Sequence, residues 1–251
     1  MNIPSWTYKY DLEKYRNEYI DAINNVFDSG RLLFGKQLET FENSFSKYIG
    51  TKYGVGCDNG TNAIFLSLKA LNIGKGDNVL TVPNTAIPTV SAICQSGAKP
   101  VFVDVNESAL IDVTKIEEKI NSNTKAIIPV HLYGFPCDME KICKVSKKHK
   151  IHVIEDCSQA HGTTLFGRKV GSFGDLSTFS FYPTKSLGSF GDAGMVCTNN
   201  YDLFETIRRL RFYGIESDYV ASIEGYNSRM DEIHAAFLNQ KLKRLEHNIK
   251  Y

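Results

Sequence analysis

Between Tyr53 and Thr198 the chain alternates short β-type runs with helical patterns, a rhythm that few architectures accommodate. The spacing predicts strands at Tyr53–Gly56, Asn78–Val82, Val101–Val105, Ala126–Val130, Ile151–Glu155, Thr178–Phe181 and Ala193–Thr198. Between them it predicts helices at Thr61–Leu71, through Val90 and Ile93, at Ile111–Ile120 and at Asp138–His149. A run such as Ala126-Ile-Ile-Pro-Val130 is apolar on both faces, as a strand covered by helices on each side must be. The fold class is therefore α/β, with a mostly parallel central sheet flanked by helices. Two amphipathic helices precede it. Leu12, Tyr15, Tyr19, Ile23 and Val26 mark the first, stopped by Ser29-Gly30; Leu38, Phe41, Phe45 and Tyr48 mark the second, ended by Gly50. The segment Ser228–Tyr251 reads as one long helix with Met230, Ile233, Phe237, Leu242, Leu245 and Ile249 inward, and with no Gly or Pro cap at its end.

Composition narrows the function classes. The 251 residues carry 29 Lys+Arg against 28 Asp+Glu, a net charge of +1, which provides no basic footprint for nucleic acid or for an anionic membrane surface. Met1 to Asp11 show no apolar signal-peptide core, and no apolar run approaches the roughly 18–20 residues of a membrane span. A cytoplasmic chain is expected. Cys57, Cys94, Cys137, Cys143, Cys157 and Cys197 include no Cys-x-x-Cys pair, so neither zinc nor a disulfide framework is expected. Cys94 and Cys197 follow apolar residues and read as small reduced hydrophobes.

Gly54-Val-Gly56-Cys-Asp-Asn-Gly60 follows a strand and opens a helix, but its spacing departs from the dinucleotide fingerprint, which disfavours a nicotinamide-dependent dehydrogenase. A helix beginning at Gly60-Thr61 offers free N–H groups and a positive dipole end to an anion; a plain strand–helix turn is the equal alternative. Among the six histidines no helical His-x-x-x-His pair appears, so no metal is expected; His131 is better placed for a cofactor pocket. The informative stretches are Val153-Ile-Glu-Asp156-Cys-Ser-Gln159-Ala-His161-Gly162 and Thr178-Phe-Ser180-Phe-Tyr-Pro-Thr-Lys185-Ser-Leu-Gly188. The first sets an acid at the carboxyl end of an apolar strand, where open α/β sheets bind ligands. The second sets one Lys after a Pro-containing turn, where a desolvated amine forms a Schiff base with an aldehyde cofactor. An Asp nearby would keep a pyridinium nitrogen protonated. From residue chemistry alone, a surface Lys and a capping Asp remain open.

Taken together, Glu155-Asp-x-x-Gln-Ala-His-Gly, Phe-Ser-Phe-Tyr-Pro-Thr-Lys185-x-Leu-Gly, Gly191-Asp-Ala-Gly194 and Asn227-Ser-Arg-Met-Asp-Glu resemble the nucleotide-sugar aminotransferases of the DegT/DnrJ/StrS type. Asn59-Gly-Thr-Asn-Ala, Val82-Pro-Asn-Thr85 and Pro129-Val-His-Leu-Tyr-Gly134 extend the match from about Gly30 onward. The resemblance implies the large domain of fold-type-I pyridoxal 5'-phosphate enzymes, and a homodimer with active sites at the subunit interface. It implies that Lys185 bonds the cofactor aldehyde, Asp156 pairs with the pyridine nitrogen and Gln159 contacts the phenolic oxygen. Ser180 and the backbone of Gly60 and Thr61 would hold the phosphate, and Asn227 would reach the partner's phosphate. Nitrogen would pass from L-glutamate to a keto-deoxy-sugar nucleotide, dTDP- or UDP-linked, in amino-sugar biosynthesis for a surface polysaccharide or glycoconjugate, with Lys185 as both tether and general acid/base.

Departures from the family pattern are Asn59 for the usual Ser, Ala86 where many relatives carry a ring-stacking aromatic, and Ala193 for a usual Gly. Lys185 itself disfavours the dehydratase branch, which carries His there. Relatives run on past residue 251, so residues 1–30 are expected as an N-terminal segment and 31–251 as the cofactor-binding large domain, with the C-terminal small domain largely absent. A truncated, weakly active cofactor- or partner-binding fragment is the alternative. On this reading Leu242, Leu245 and Ile249 lack a cover within the chain and favour dimerisation or aggregation.

Overall fold

A computed structural model describes residues 6–250. Met1–Ser5, within the stretch read as carrying no signal peptide, and Tyr251, at the end of the expected last helix, lie outside the described residues. Helices α1 (Lys9–Ser29) and α2 (Lys36–Ile49) lead into strand β1 (Tyr53–Cys57), helix α3 (Gly60–Ala70), β2 (Asn78–Thr81), α4 (Ile87–Ser96) and β3 (Lys99–Phe102). The chain continues through α5 (Ile116–Lys119), β4 (Thr124–Ile127), α6 (Met139–His149), β5 (His152–Asp156), β6 (Thr164–Leu165), β7 (Arg168–Lys169), β8 (Leu176–Ser180) and β9 (Gly194–Thr198). It closes with α7 (Tyr201–Leu210), β10 (Ile215–Ser217), β11 (Val220–Ala221), α8 (Glu232–Leu242) and α9 (Leu245–Ile249).

Seven strands form one sheet in the order β1-β9-β8-β5-β4-β2-β3, parallel except for β9, which runs antiparallel to both neighbours. Alternate residues of a strand serve opposite layers. Ile154 joins a cluster with Ile64, Leu66 and Leu68 of α3, whereas its neighbour Val153 joins Ile127 of β4 and Ile142 of α6 on the other side. At the β8–β9 end that second side is filled by Phe41 and Phe45 of α2, Phe179, Phe181, Met195 and Leu238 of α8. Each such fully buried side chain contributes roughly 1.5–3 kcal/mol. Among the described residues no helix is long and apolar enough to cross a membrane.

Four expectations need correction. The helix expected over Ile111–Ile120 shrinks to one turn of 3-10 helix (Val113–Lys115) and α5, because Ile111 is bridged to Val105 and the Asp112 carboxylate caps Thr114 N–H. The helix expected from Ser228 starts only at Glu232, where Asp231 caps His234 N–H at 2.8 Å, and it breaks at Lys243-Arg244. Its stripe is largely covered from within: α1 packs on α8, Leu245 is 1 % exposed and Leu242 packs on the Phe45 cluster, while Ile249 is 42 % exposed. All six cysteines are free thiols, but Cys94 is exposed rather than packed among hydrophobes.

Candidate active site

The carboxyl ends of β5 and β8 and the start of α3 meet around a cavity of about 470 Å³. Its volume falls in the range of small-molecule and cofactor sites, and its position is the one that open α/β sheets use. Gly60, Thr61, Asp156, Gln159, Ser180 and Lys185 all line it. Asn227 does not. It lies exposed and bridged to Phe212, outside the lining of that cavity.

The cavity meets the N-terminus of α3. The Asn59 side chain accepts from Asn62 N–H at 2.8 Å, so the cap takes one donor of the first turn and leaves those of Gly60 and Thr61 at the wall. The approach is possible only without side chains: a Cβ on Gly60 would stand 2.7 Å from Ser180 Cβ, and one on Gly194 2.4 Å from the Asn59 carbonyl. Two glycines thus bring α3, β8 and β9 into one cradle.

Asp156, 4 % exposed, stands where β5 runs out and lines the same cavity. Thr89 donates to its Oδ2 at 2.8 Å, Ser158 N–H donates to its Oδ1 at 3.1 Å, and Thr85 stands 2.8 Å from Thr89. Both threonines line the cavity and were missed in the sequence. Their signal was there: Thr85 and Thr89 are four residues apart at the start of a helix opened by Pro88.

Lys185 lines the cavity from the loop after β8. Burial pushes its amine below the ordinary lysine value, and the nearby Asp156 charge pulls it partly back. Gln159 Oε1 accepts from Tyr133 N–H at 3.0 Å, which identifies the other end of the amide as the donor. Ala86, Pro88, Ile64 and Val130 give the apolar wall, and Tyr182 is the one aromatic ring on it among the described residues.

His131 is not in the cavity. It is fully buried, with its Nδ1 accepting from Cys137 N–H at 3.0 Å and its Nε2 3.1 Å from Glu155 Oε2. Because a backbone N–H points at Nδ1, the ring keeps a lone pair there and offers Nε2–H to the carboxylate. Burial alone would raise the Glu155 carboxyl, but His131 and the N–H groups of Gly174 and Gly171 outweigh it and hold it below the usual carboxylate range. His131, Glu155 and Cys157 lie close enough to hold an ion, yet the Glu155 oxygens are already taken by four donors. The cluster is a brace under Asp156. His161 is likewise buried against Phe45, Phe179 and Phe181, and burial, then the Lys185 charge, push its pKa down to about 3, so it is neutral.

A larger hollow of about 740 Å³ opens at edge strand β1 beside α2 and α7. Most of its charges pair across it, as Arg211–Glu42, Arg208–Glu205 and Arg209–Glu216, and none of the motif residues reaches it except through Gly54. The chemistry belongs to the smaller cavity.

Known proteins resemble this chain in sequence and in backbone. The chain is 46 % identical over 243 residues to the dTDP-3-amino-3,4,6-trideoxy-alpha-D-glucose transaminase of Micromonospora megalomicea subsp. nigra, a match covering 96 % of this chain and 65 % of that protein. Its backbone superposes on the crystal structure of S. venezuelae DesV in complex with ketimine intermediate with a TM-score of 0.95, at 41 % identity, covering 98 % of this chain and 66 % of that one. For ntda from Bacillus subtilis with bound cofactor PMP the TM-score is 0.89 at 34 % identity, covering 93 % and 54 %. The chain therefore spans 65 % of the length of the curated transaminase it matches. The DegT/DnrJ/EryC1/StrS aminotransferase family matches residues 13–251, and the chain belongs to that family.

Proposed function

We propose that this chain carries the cofactor-binding part of an aminotransferase that uses pyridoxal 5'-phosphate to move an amino group from L-glutamate to a keto-deoxy-sugar nucleotide. The observation that carries the reading is a single cavity lined together by an open helix N-terminus, a buried Asp and one partly desolvated Lys. The donor set fits the cofactor. Gly60, Thr61 and Ser180 present N–H and hydroxyl donors to a phosphate, with a cradle that a single Cβ would fill. Asp156 presents a carboxylate to a protonated ring nitrogen. When bound, pyridoxal phosphate supplies the electron sink that lets an amino-acid Cα–H ionise.

The protein's own groups supply the rest. Lys185 Nζ, its pKa lowered by burial, is the nucleophile toward the aldehyde and afterwards the group that takes and returns the Cα proton. Thr89 and Ser158 fix the Asp156 carboxylate by hydrogen bonds to its separate oxygens, so the acid cannot swing away from the ring nitrogen. Gln159 directs its amide donors to the phenolic oxygen while Tyr133 N–H fixes its oxygen. Asn227, exposed and outside the lining of its own cavity, serves the phosphate site of a second copy, and the functional unit is a homodimer. Residues 31–251 form the large domain, and α1, from the segment 1–30, packs on α8. The curated transaminase and the PMP-bound neighbour support this assignment of substrate and cofactor class.

The test is chemical. Incubation with pyridoxal phosphate and borohydride, then digestion and mass spectrometry, is expected to place the label on Lys185. Lys185→Ala should lose both the label and the conversion of L-glutamate to 2-oxoglutarate with its far-ultraviolet dichroism unchanged. A label on another lysine would sink the assignment.

A further inference from the structure

The loop that carries Lys185 is a closed excursion between β8 and β9. Ser189 N–H donates to the Phe181 carbonyl at 2.7 Å and ties its two ends, and Lys185 N–H donates to the Tyr182 carbonyl at 2.8 Å and closes its first turn. Gly188 leaves no room for a side chain, since a Cβ there would lie 2.5 Å from the Pro183 carbonyl. The Gly188 carbonyl is buried with its residue and needs a donor of its own. It receives one from far along the chain. Lys241 Nζ, on the last turn of α8, donates to it at 2.7 Å.

Lys241 is itself held from several sides. Its ammonium lies 3.2 Å from Asp11 Oδ2 on α1 and 4.8 Å from the centre of the Phe190 ring, and its side chain is 17 % exposed. Burial lowers its pKa and the Asp11 charge raises it again. Asp11 also accepts from the Tyr19 hydroxyl at 2.7 Å, and Tyr19 accepts in turn from Arg244 at 3.0 Å. One connected set of bonds thus runs from the lysine loop through α8 to α1.

We propose that Lys241 is a positioning residue for this loop: held by Asp11, it fixes the Gly188 carbonyl and thereby the place of Lys185 in the cavity. The proposal rests on the reading of Lys185 as the cofactor-bearing lysine. An ammonium suits the task better than a neutral donor, because a charge-assisted bond to a carbonyl is shorter and stronger and its remaining protons serve Asp11. Misplacing a reacting amine by a fraction of an ångström slows its chemistry without abolishing binding.

The full chain, Lys241→Met, Lys241→Arg and Asp11→Asn are mixed with pyridoxal phosphate, quenched with borohydride at intervals, and the label on Lys185 is quantified by peptide mass spectrometry. Lys241→Met keeps the apolar stem and removes the donor, so labelling of Lys185 should slow by roughly tenfold at an unchanged final extent. Lys241→Arg restores a cationic donor and should recover most of the rate, with Asp11→Asn between the two. In the same samples, amide exchange at Lys185 and Ser189, whose N–H groups close the loop, should speed up while α8 and α1 stay protected. Equal labelling rates in the parent and Lys241→Met overturn the proposal. So does faster exchange spread through α8 and α1, the mark of a merely structural lysine. A label absent from Lys185 in the parent overturns the cofactor reading first and this proposal with it.

Discussion

Helices α2 and α3 both begin beside a glycine, and both present the positive end of a helix dipole, yet the protein treats the two ends in opposite ways. At α2 the end is filled from within. Glu232, 2 % exposed, accepts from Gly35 N–H at 3.0 Å and Leu38 N–H at 2.9 Å through Oε1, and from Gln37 N–H at 2.8 Å through Oε2. At α3 the cap is the adjacent Asn59, which takes Asn62 N–H alone, and the first turn faces a cavity. Each glycine is required by what stands opposite: a Cβ on Gly35 would meet Glu232 Oε2 at 2.6 Å, and one on Gly60 would meet Ser180 Cβ at 2.7 Å. An anion site with its own carboxylate is a structural joint. An anion site left open is a place for a ligand's charge.

Removing the internal anion should give the largest stability effect. Glu232→Ala leaves three donors at the start of α2 without their acceptor, each worth about 1–3 kcal/mol when buried and unpaired. We expect a total loss of about 3–5 kcal/mol, the range for breaking a buried charged network. For a chain of this size that is a fall in midpoint temperature of roughly 10 °C. Glu232→Gln keeps one acceptor oxygen and should lose less. Thermal melts decide; a shift of only a degree or two for Glu232→Ala would break the contrast between the two ends.

The open end should respond in affinity rather than in stability. Gly60→Ala improves helix propensity, but its Cβ must push Ser180 aside and so spoil the cradle. Pyridoxal phosphate should bind roughly tenfold or more weakly, which is about 1.4 kcal/mol, with a melt closer to the parent than that of Glu232→Ala. Fluorescence titration with pyridoxal phosphate, repeated with inorganic phosphate as competitor, measures this. Parent-like affinity in Gly60→Ala would mean that the phosphate does not lie on α3.

The same contrast explains what was legible beforehand. The strand–helix alternation, the opening of α3 at Gly60-Thr61, and Asp156 and Lys185 at strand ends are local patterns, carried by residues within a few positions of one another. Glu232 is not local. Its partners lie 194 to 197 residues away, so the motif Asn227-Ser-Arg-Met-Asp-Glu232 shows the residue but not what it binds. Lys241 and the Gly188 carbonyl, 53 residues apart, were hidden for the same reason. His131 failed differently: it stands beyond a strand end like the site residues, but its ring turns toward Glu155 and Cys137, a choice of side that no one-dimensional pattern records. The late start of α8 was readable, since Asp231 followed by Glu232 is an ordinary helix-opening pair that the apolar stripe overrode.

The smallest effect should come from the cap of the open end. Asn59→Ala removes the acceptor for Asn62 N–H, a loss of about 0.5–2 kcal/mol for such a cap. The loop before α3 keeps its other ties: the Asp58 carboxylate still accepts from the Asn62 side chain at 2.8 and 3.0 Å and from the Ser228 hydroxyl at 2.5 Å. The Asn59 carbonyl still accepts from Ala63 N–H at 3.0 Å. The freed Asn62 N–H adds a donor to the first turn instead of removing one, so affinity for pyridoxal phosphate should stay within about threefold of the parent, under 1 kcal/mol. Asn59→Ser restores a capping oxygen and should return the melt to within a few tenths of a kcal/mol. If Asn59→Ala instead destabilised the chain as much as Glu232→Ala does, α3 and not α2 would be the joint that holds the fold, and an end that carries such a load is not free to wait for a ligand.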